Sequence, residues 1–294
     1  MINQEQNNNL YQYGNPANNA PLNPQALLSV RGISKNFKST NVLKNINLDV
    51  YPGEIYGIVG PNGCGKTTLF KILLSIFNAS SGEGCLMGGH TNFNNNLDES
   101  YRVNLNQVGF YIEQNFDINK NARQNLKNYS LIKGIKDNDQ EIDQLISMVG
   151  LQPNLLVKSY SLGMRQRLGL ACAFLGNPRL IILDEPANGL DPQAIESTHQ
   201  IIKFYNQNYG TTFIVSSHYL ESLQQMGTRF GIIKNGEIVQ EISKESLRST
   251  KTYKLSFTEE QLAAIKEQLI ALGVDINNIE IVEDKISDIY NQVV

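Results

Sequence analysis

Gly60-Pro61-Asn62-Gly63-Cys64-Gly65-Lys66-Thr67 fits the pattern G-x-x-x-x-G-K-[ST], a loop whose backbone amides cradle a polyphosphate. Its flanks match what such a loop requires. Ile55-Tyr56-Gly57-Ile58-Val59 is a short apolar run that predicts a buried strand, and Thr68-Leu69-Phe70-Lys71-Ile72-Leu73 opens a helix. Glycines let the chain curl around an anion, and a helix N-terminus adds the positive end of its dipole. Lys66 is expected to reach the β- and γ-phosphates, and Thr67 to offer its hydroxyl to Mg2+. Thr68 completes the nucleotide-binding set. A plain glycine-rich turn before a helix would need neither the lysine nor the hydroxyl.

Further along, Leu180-Ile181-Ile182-Leu183 is an apolar strand that ends in Asp184-Glu185. Ligand sites form at the carboxyl edge of a parallel sheet, which is where these carboxylates would stand. Asp184 is the candidate for the Mg2+ shell. Glu185 is the candidate to polarise the water that attacks a γ-phosphate. Upstream, Ser161 in Tyr160-Ser161-Leu162-Gly163-Met164-Arg165-Gln166-Arg167 reads as a helix N-cap, and the free amides beside Gly163 suit an anion.

Composition limits the rest. The chain has 294 residues, enough for one large α/β domain and a small appendage. A net charge of −3 gives no general attraction to nucleic acid, and no nucleic-acid partner is expected. Apolar runs fall well short of the roughly 20 residues a membrane-spanning helix needs, and the polar N-terminus has no signal-peptide core. A soluble, cytoplasmic protein is expected. Cys64, Cys85 and Cys172 are odd in number and lack metal spacing, as reduced thiols would be.

Residues 1–25 hold eight Asn and four Gln and few large apolar groups, which predicts a disordered tail. Strands are expected at Leu27–Val30 and at Val42–Val50, the second alternating as a half-buried antiparallel strand. A glycine-punctuated β-rich patch at Gly84–Gly89 follows. Residues from about Asp117 to Pro178 read as a helical subdomain, with helices at Ala122–Ile132 and Glu141–Val149. Beyond Leu183 come a helix with Ile195, Ile201 and Ile202, a strand at Thr212–Val215, and a helix through Leu220 and Leu223. A hairpin then turns at Asn235-Gly236. Residues 246–294 read as a small α+β appendage.

Taken in order, these motifs resemble the ATP-binding subunit of an ABC transporter over roughly residues 27–245. The loop at Gly60–Thr67 is similar to Walker A, Ser161 and Gly163 to the core of the L-S-G-G-Q signature, and Asp184-Glu185 to Walker B with its glutamate. Gly189-Leu190-Asp191 looks like the D-loop and Ser217-His218 like the H-switch. Ser161 precedes Asp184 by 23 positions and His218 follows it by 34. The resemblance implies a P-loop α/β fold of ABC type. That fold has a mixed β-core with a parallel sheet, an antiparallel β-subdomain and a helical subdomain, spanning residues 26–245. It also implies ATP and Mg2+ as cofactors, adenine stacking on Phe37, and Asp191 beside the nucleotide. Two cassettes, identical or paired with a second kind, would close head to tail, each nucleotide lying against the other subunit's Ser161. Separate polytopic permease subunits would hold the cassette at the inner face of the membrane.

Two departures point to a branch. Tyr160-Ser161-Leu162-Gly163-Met164 replaces L-S-G-G-Q, and Glu113 stands where the family places the Q-loop glutamine, with Gln114 next to it. Both features resemble the cassettes of lantibiotic immunity and bacitracin resistance. The resemblance implies that Glu113 touches the Mg2+ region and a permease, in an exporter of a peptide antibiotic. The alternatives are an exporter of small drugs, or a soluble ABC ATPase of DNA repair or translation. The latter usually brings two cassettes, coiled-coil insertions or basic patches, and this chain has one cassette and an acidic pI near 5.7.

Overall fold

Two sheets divide the strands of the computed structural model, which describes residues 20–94, 97–113, 115–136 and 138–244. All of these belong to one compact unit, Met1–Ser246. The appendage expected at 246–294, most of the N-terminal tail and Gln114 lie outside the described residues.

The smaller sheet is antiparallel, in the order β2 (Thr40–Val50), β1 (Leu28–Phe37), β4 (Ser81–Leu86) and β5 (Gly89–Asn92). β2 departs from the half-buried reading, because Ile46 to Val50 are all buried, Asn47 and Asp49 included. The polar pair survives burial because each member is satisfied. The Arg31 guanidinium donates to both Asp49 oxygens at 2.8 and 2.9 Å, Ser29 Oγ donates to Oδ1 at 2.6 Å, and Asn47 Oδ1 accepts the Gly32 amide. The same guanidinium donates to the carbonyls of Ala20 and Pro21. Arg31 thus holds Ala20 and Pro21, residues that composition places in a tail.

The larger sheet runs β10 (Glu237–Ser243), β9 (Arg229–Lys234), β3 (Ile55–Val59), β8 (Thr212–Ser217), β7 (Leu180–Leu183) and β6 (Val108–Tyr111). Its inner pairings are parallel, and only the β9–β10 hairpin is antiparallel. That hairpin turns at Asn235 and Gly236, both at positive φ as a two-residue turn with Asn-Gly requires. Every residue of β3 and β7 is buried, as strands covered on both faces should be.

Helix α1 (Lys66–Leu73) leaves β3 and buries Leu69, Phe70 and Ile72 in a core shared with β1, β2 and β4. A second core lies under α3 (Ala122–Ile132), α4 (Asp139–Met148), α5 (Leu162–Phe174) and α6 (Pro192–Tyr209). Between these elements sit α2 (Glu99–Leu105), which the sequence did not announce, and α7 (Leu220–Gln224). α5 packs so closely on β6 that a Cβ at Gly109 would strike the Ala173 carbonyl. This fixes the distance between the edge of the sheet and the helix that begins at Ser161.

Candidate functional site: the phosphate loop and its carboxylates

The loop from Gly60 to Gly65 joins β3 to α1, and Lys66 and Thr67 are already in the first helical turn. Gly65 has φ 111, a conformation closed to L side chains, and a Cβ there would stand 2.6 Å from Leu43. The loop thus rests on the first half of β2, at Val42 and Leu43. A groove lined by Thr40, Val42, Pro61, Asn62, Cys64 and Gly236 opens beside it. Phe37 lies at the end of β1, 42% exposed, edge-on to Phe77 at 5.9 Å, with Lys35 Nζ 4.9 Å above its ring. Burial pushes the Cys64 thiol up, outweighing the opposite pull of Lys66, so this cysteine is kept protonated.

Lys66 is 5% exposed, and its Nζ donates to the carbonyls of Gly60 at 2.7 Å and Pro61 at 3.2 Å. It also faces Glu185 Oε1 at 3.2 Å as an ion pair. The other oxygen, Oε2, meets His218 Nδ1 at 2.7 Å. Glu185 therefore bridges a lysine and a histidine at the end of β7. Its own backbone is left-handed, φ 49, an unusual state for a non-glycine residue and one that costs on the order of 1–2 kcal/mol. Its amide donates to Ser216 Oγ at 2.8 Å, and that hydroxyl donates to Asp184 Oδ1 at 2.6 Å. Thr67 Oγ1 donates to Asp184 Oδ2 at 2.5 Å.

Gly60 to Thr67, Asp184, Glu185 and His218 are thus brought together. Ser161 and Gly163 form another group. Ser161 caps α5, its Oγ accepting the Met164 amide at 3.2 Å, and a Cβ at Gly163 would crowd Leu190, as one at Gly189 would crowd Leu162. Asp191 caps α6 by accepting the Ala194 amide at 2.9 Å. Glu113 takes no part in the Thr67–Asp184 hydrogen bond. It pairs with Lys71 on α1 at 2.8 Å, with its side chain 74% exposed and its backbone also left-handed, φ 41.

Sequence reasoning missed three residues. Ser216 organises both carboxylate positions from β8. Gln166 is buried on α5 and donates to the Asn188 carbonyl, tying the Ser161 helix to the loop after Glu185. His199 is fully buried on α6, hydrogen-bonded to Gln225 and Ser222 at 3.0 Å each. A polar residue at the end of an apolar strand was a signal for Ser216. The other two partnerships span 22 or more positions and leave no local trace.

Residues 43–188 match the model of the family described as ABC transporter. The chain is 38% identical over 229 residues to YcbN of Bacillus subtilis, an uncharacterized ABC transporter ATP-binding protein, covering 77% of this chain and 72% of the relative. The chain belongs to the ABC transporter ATP-binding proteins. The bacitracin transport ATP-binding protein BcrA of Bacillus licheniformis is 34% identical over 270 residues, 90% of this chain and 85% of the relative. The lantibiotic transport ATP-binding protein SrtF of Streptococcus pyogenes is 34% identical over 218 residues, 73% and 90%. Among solved structures, an ATP-binding cassette dimer in a post-hydrolysis state with ADP and Pi aligns with a TM-score of 0.66 at 25% identity. It covers 74% of this chain and 98% of that one. This ABC protein binds and hydrolyses ATP. No described helix is long and apolar enough to cross a membrane.

Proposed function

We propose that the chain drives export of a peptide antibiotic of the lantibiotic or bacitracin type through separate permease subunits that hold it at the inner face of the cell membrane. The substrate class rests on the likeness to BcrA and SrtF together with Glu113 and the Tyr160–Met164 signature.

The observation that carries the chemistry is Glu185 held between Lys66 and His218. The phosphate loop receives the nucleotide's phosphates on its amides, with Lys66 Nζ at the terminal one. A γ-phosphate on Lys66 competes with Glu185 Oε1 and frees that oxygen to accept a proton from the attacking water. His218 keeps the other oxygen in place, so the carboxylate stays aimed. Phe37 offers a half-exposed ring for the base.

The donors also suit Mg2+. Thr67 and Asp184 place two hard oxygens side by side, and no group of three or more His, Cys, Asp or Glu among the described residues is arranged to hold a metal ion by itself. Two protein oxygens with phosphates and waters for the remainder is the coordination Mg2+ favours. When bound, the ion neutralises phosphate charge. Glu113 reaches this region only by leaving Lys71, which makes its loop a candidate sensor of nucleotide and permease.

Ser161 is exposed at the N-cap of a 13-residue helix. It is therefore suited to clamp the phosphates of a second cassette in trans. A Lys66→Ala chain mixed with a Ser161→Arg chain then forms one doubly defective site and one intact site. Partial recovery of ATPase activity is expected, and none, with heterodimers present, rejects composite sites. For the substrate, cells expressing the transporter are challenged with lantibiotics, bacitracin and unrelated small drugs. Protection against the peptides, abolished by Glu113→Ala at near-normal ATP binding, is expected. Protection confined to small drugs rejects the substrate class.

A further inference from the structure

Asn125 is buried on the first turn of α3, 7% exposed, and it makes three hydrogen bonds that serve neighbouring backbone. Its Oδ1 accepts the Asp117 amide at 2.9 Å. Its Nδ2 donates to the Asp117 carbonyl at 3.1 Å and to the Asn121 carbonyl at 3.0 Å. Asp117 follows Glu113 by four positions. The strip it begins is then tied across to the strip before Ser161. The Lys158 amide donates to the Ile118 carbonyl at 2.9 Å and the Val157 amide to the Lys120 carbonyl at 3.0 Å, and Asn121 opposes Leu156 in an antiparallel bridge. From Val157 a single 3-10 turn leads to Ser161, with the Tyr160 amide returning to the Val157 carbonyl at 3.0 Å.

We propose that Asn125 is a positioning residue for Ser161: it fixes Asp117 and Asn121 on the strip after the Glu113 loop, and that strip's backbone bonds to the strip before the signature serine carry a shift of one to the other. This deepens the reading of Ser161 as a clamp in trans and rests on it. A side chain that grips both the amide and the carbonyl of one residue fixes the two peptides flanking it, and so that residue's backbone, in orientation as well as position. Two amide–carbonyl bonds between short strips would not resist shear alone. Each is worth little net against water, so the buried amide side chain supplies the stiffness. The inference predicts that loosening Asn125 harms the meeting of two cassettes and spares the phosphate loop of each.

The test uses the full chain. Specific ATPase activity is measured against cassette concentration, and affinity for a fluorescent ATP analogue is measured in dilute protein. Asn125→Ala is expected to raise the concentration for half-maximal activity about tenfold, the scale set by losing two or more buried hydrogen bonds. Analogue affinity should stay within about twofold. Hydrogen exchange at Val157 and Lys158 should quicken, while the Ala194 amide, capped elsewhere by Asp191, should not change. Asn125→Asp is the second variant. It keeps an acceptor for the Asp117 amide, loses both donors, and should fall on the same side. Ser161→Ala, a milder change that keeps residual activity, is the control in the same assay. If it shifts the midpoint and neither Asn125 variant does, the positioning role is overturned. If Ser161→Ala also leaves the midpoint alone, the trans clamp itself is overturned. A lower plateau at unchanged midpoint would mean Asn125 only supports the fold, and also overturns the inference.

Discussion

His218 Nδ1 stands 2.7 Å from Glu185 Oε2, and because a carboxylate oxygen only accepts, Nδ1 carries the proton of that bond. The histidine therefore aims the glutamate without competing for the proton of the attacking water. Glu185→Gln is expected to cut turnover about a hundredfold or more while retaining ATP binding, the range seen when a general base is lost. His218→Ala should fall in the same direction. Steady-state ATPase assays beside nucleotide titrations read both, and normal turnover in Glu185→Gln would remove it as the base.

Ser216→Ala strips one donor from Asp184 and the acceptor from the Glu185 amide at once. Leaving a buried polar group unpaired costs about 1–3 kcal/mol. The variant should melt at lower temperature and need more Mg2+ for half-maximal activity. Thermal melts and a Mg2+ titration of ATPase rate check the two effects separately.

The Glu113–Lys71 pair is mostly solvent-exposed on the glutamate side. Lys71→Ala should therefore change stability by less than about 1 kcal/mol, as exposed ion pairs do. Glu113→Ala should likewise leave the melting temperature nearly unchanged. Any loss of protection in cells is then a loss of coupling, and a large drop in melting temperature would contradict this.

Burial lowers the basicity of His199, only partly opposed by its bond to Gln225 and by Glu196, while Lys203 lowers it further. The folded chain thus keeps this ring neutral where the unfolded chain, near the ordinary histidine value of 6.5, takes up a proton. More protons on the unfolded side means stability rises with pH, so it is present above about 6.5 and lost as pH falls through the lower folded value. Urea midpoints at pH 7.5 and 5.5 should differ more for the natural chain than for His199→Gln.

Much of this was legible in the sequence because the chemistry is written locally. The loop, the buried strand before it, the apolar strand ending in Asp184-Glu185, the cap at Ser161 and the Asn-Gly hairpin each occupy fewer than a dozen consecutive residues. What was not legible depends on distant partners. Asn47 and Asp49 read as an outward face until Arg31 covers Asp49. The pairing of Glu113 with Lys71 on α1 spans 42 positions and leaves no local trace. Ser216, Gln166 and His199 gain their meaning from residues 22 to 32 positions away. The helix Glu99–Leu105 is short and polar on most of its surface, so periodicity could not single it out.

The strand order carries a consequence for the chain as it is made. β3, which bears the phosphate loop, lies between β8 and β9, so Ile55 finds its partner Phe213 only after most of the chain exists. At about 5–20 residues per second, the strand waits on the order of ten seconds for its neighbours during synthesis. Through that interval Ile55, Tyr56, Ile58 and Val59 have no sheet to join, and their edges are open to wrong pairings. Nucleotide cannot assist early, since the carboxylates and His218 also arrive late. A nascent chain halted before β8 should need a chaperone, and the ATP site is among the last parts of the domain to come into being.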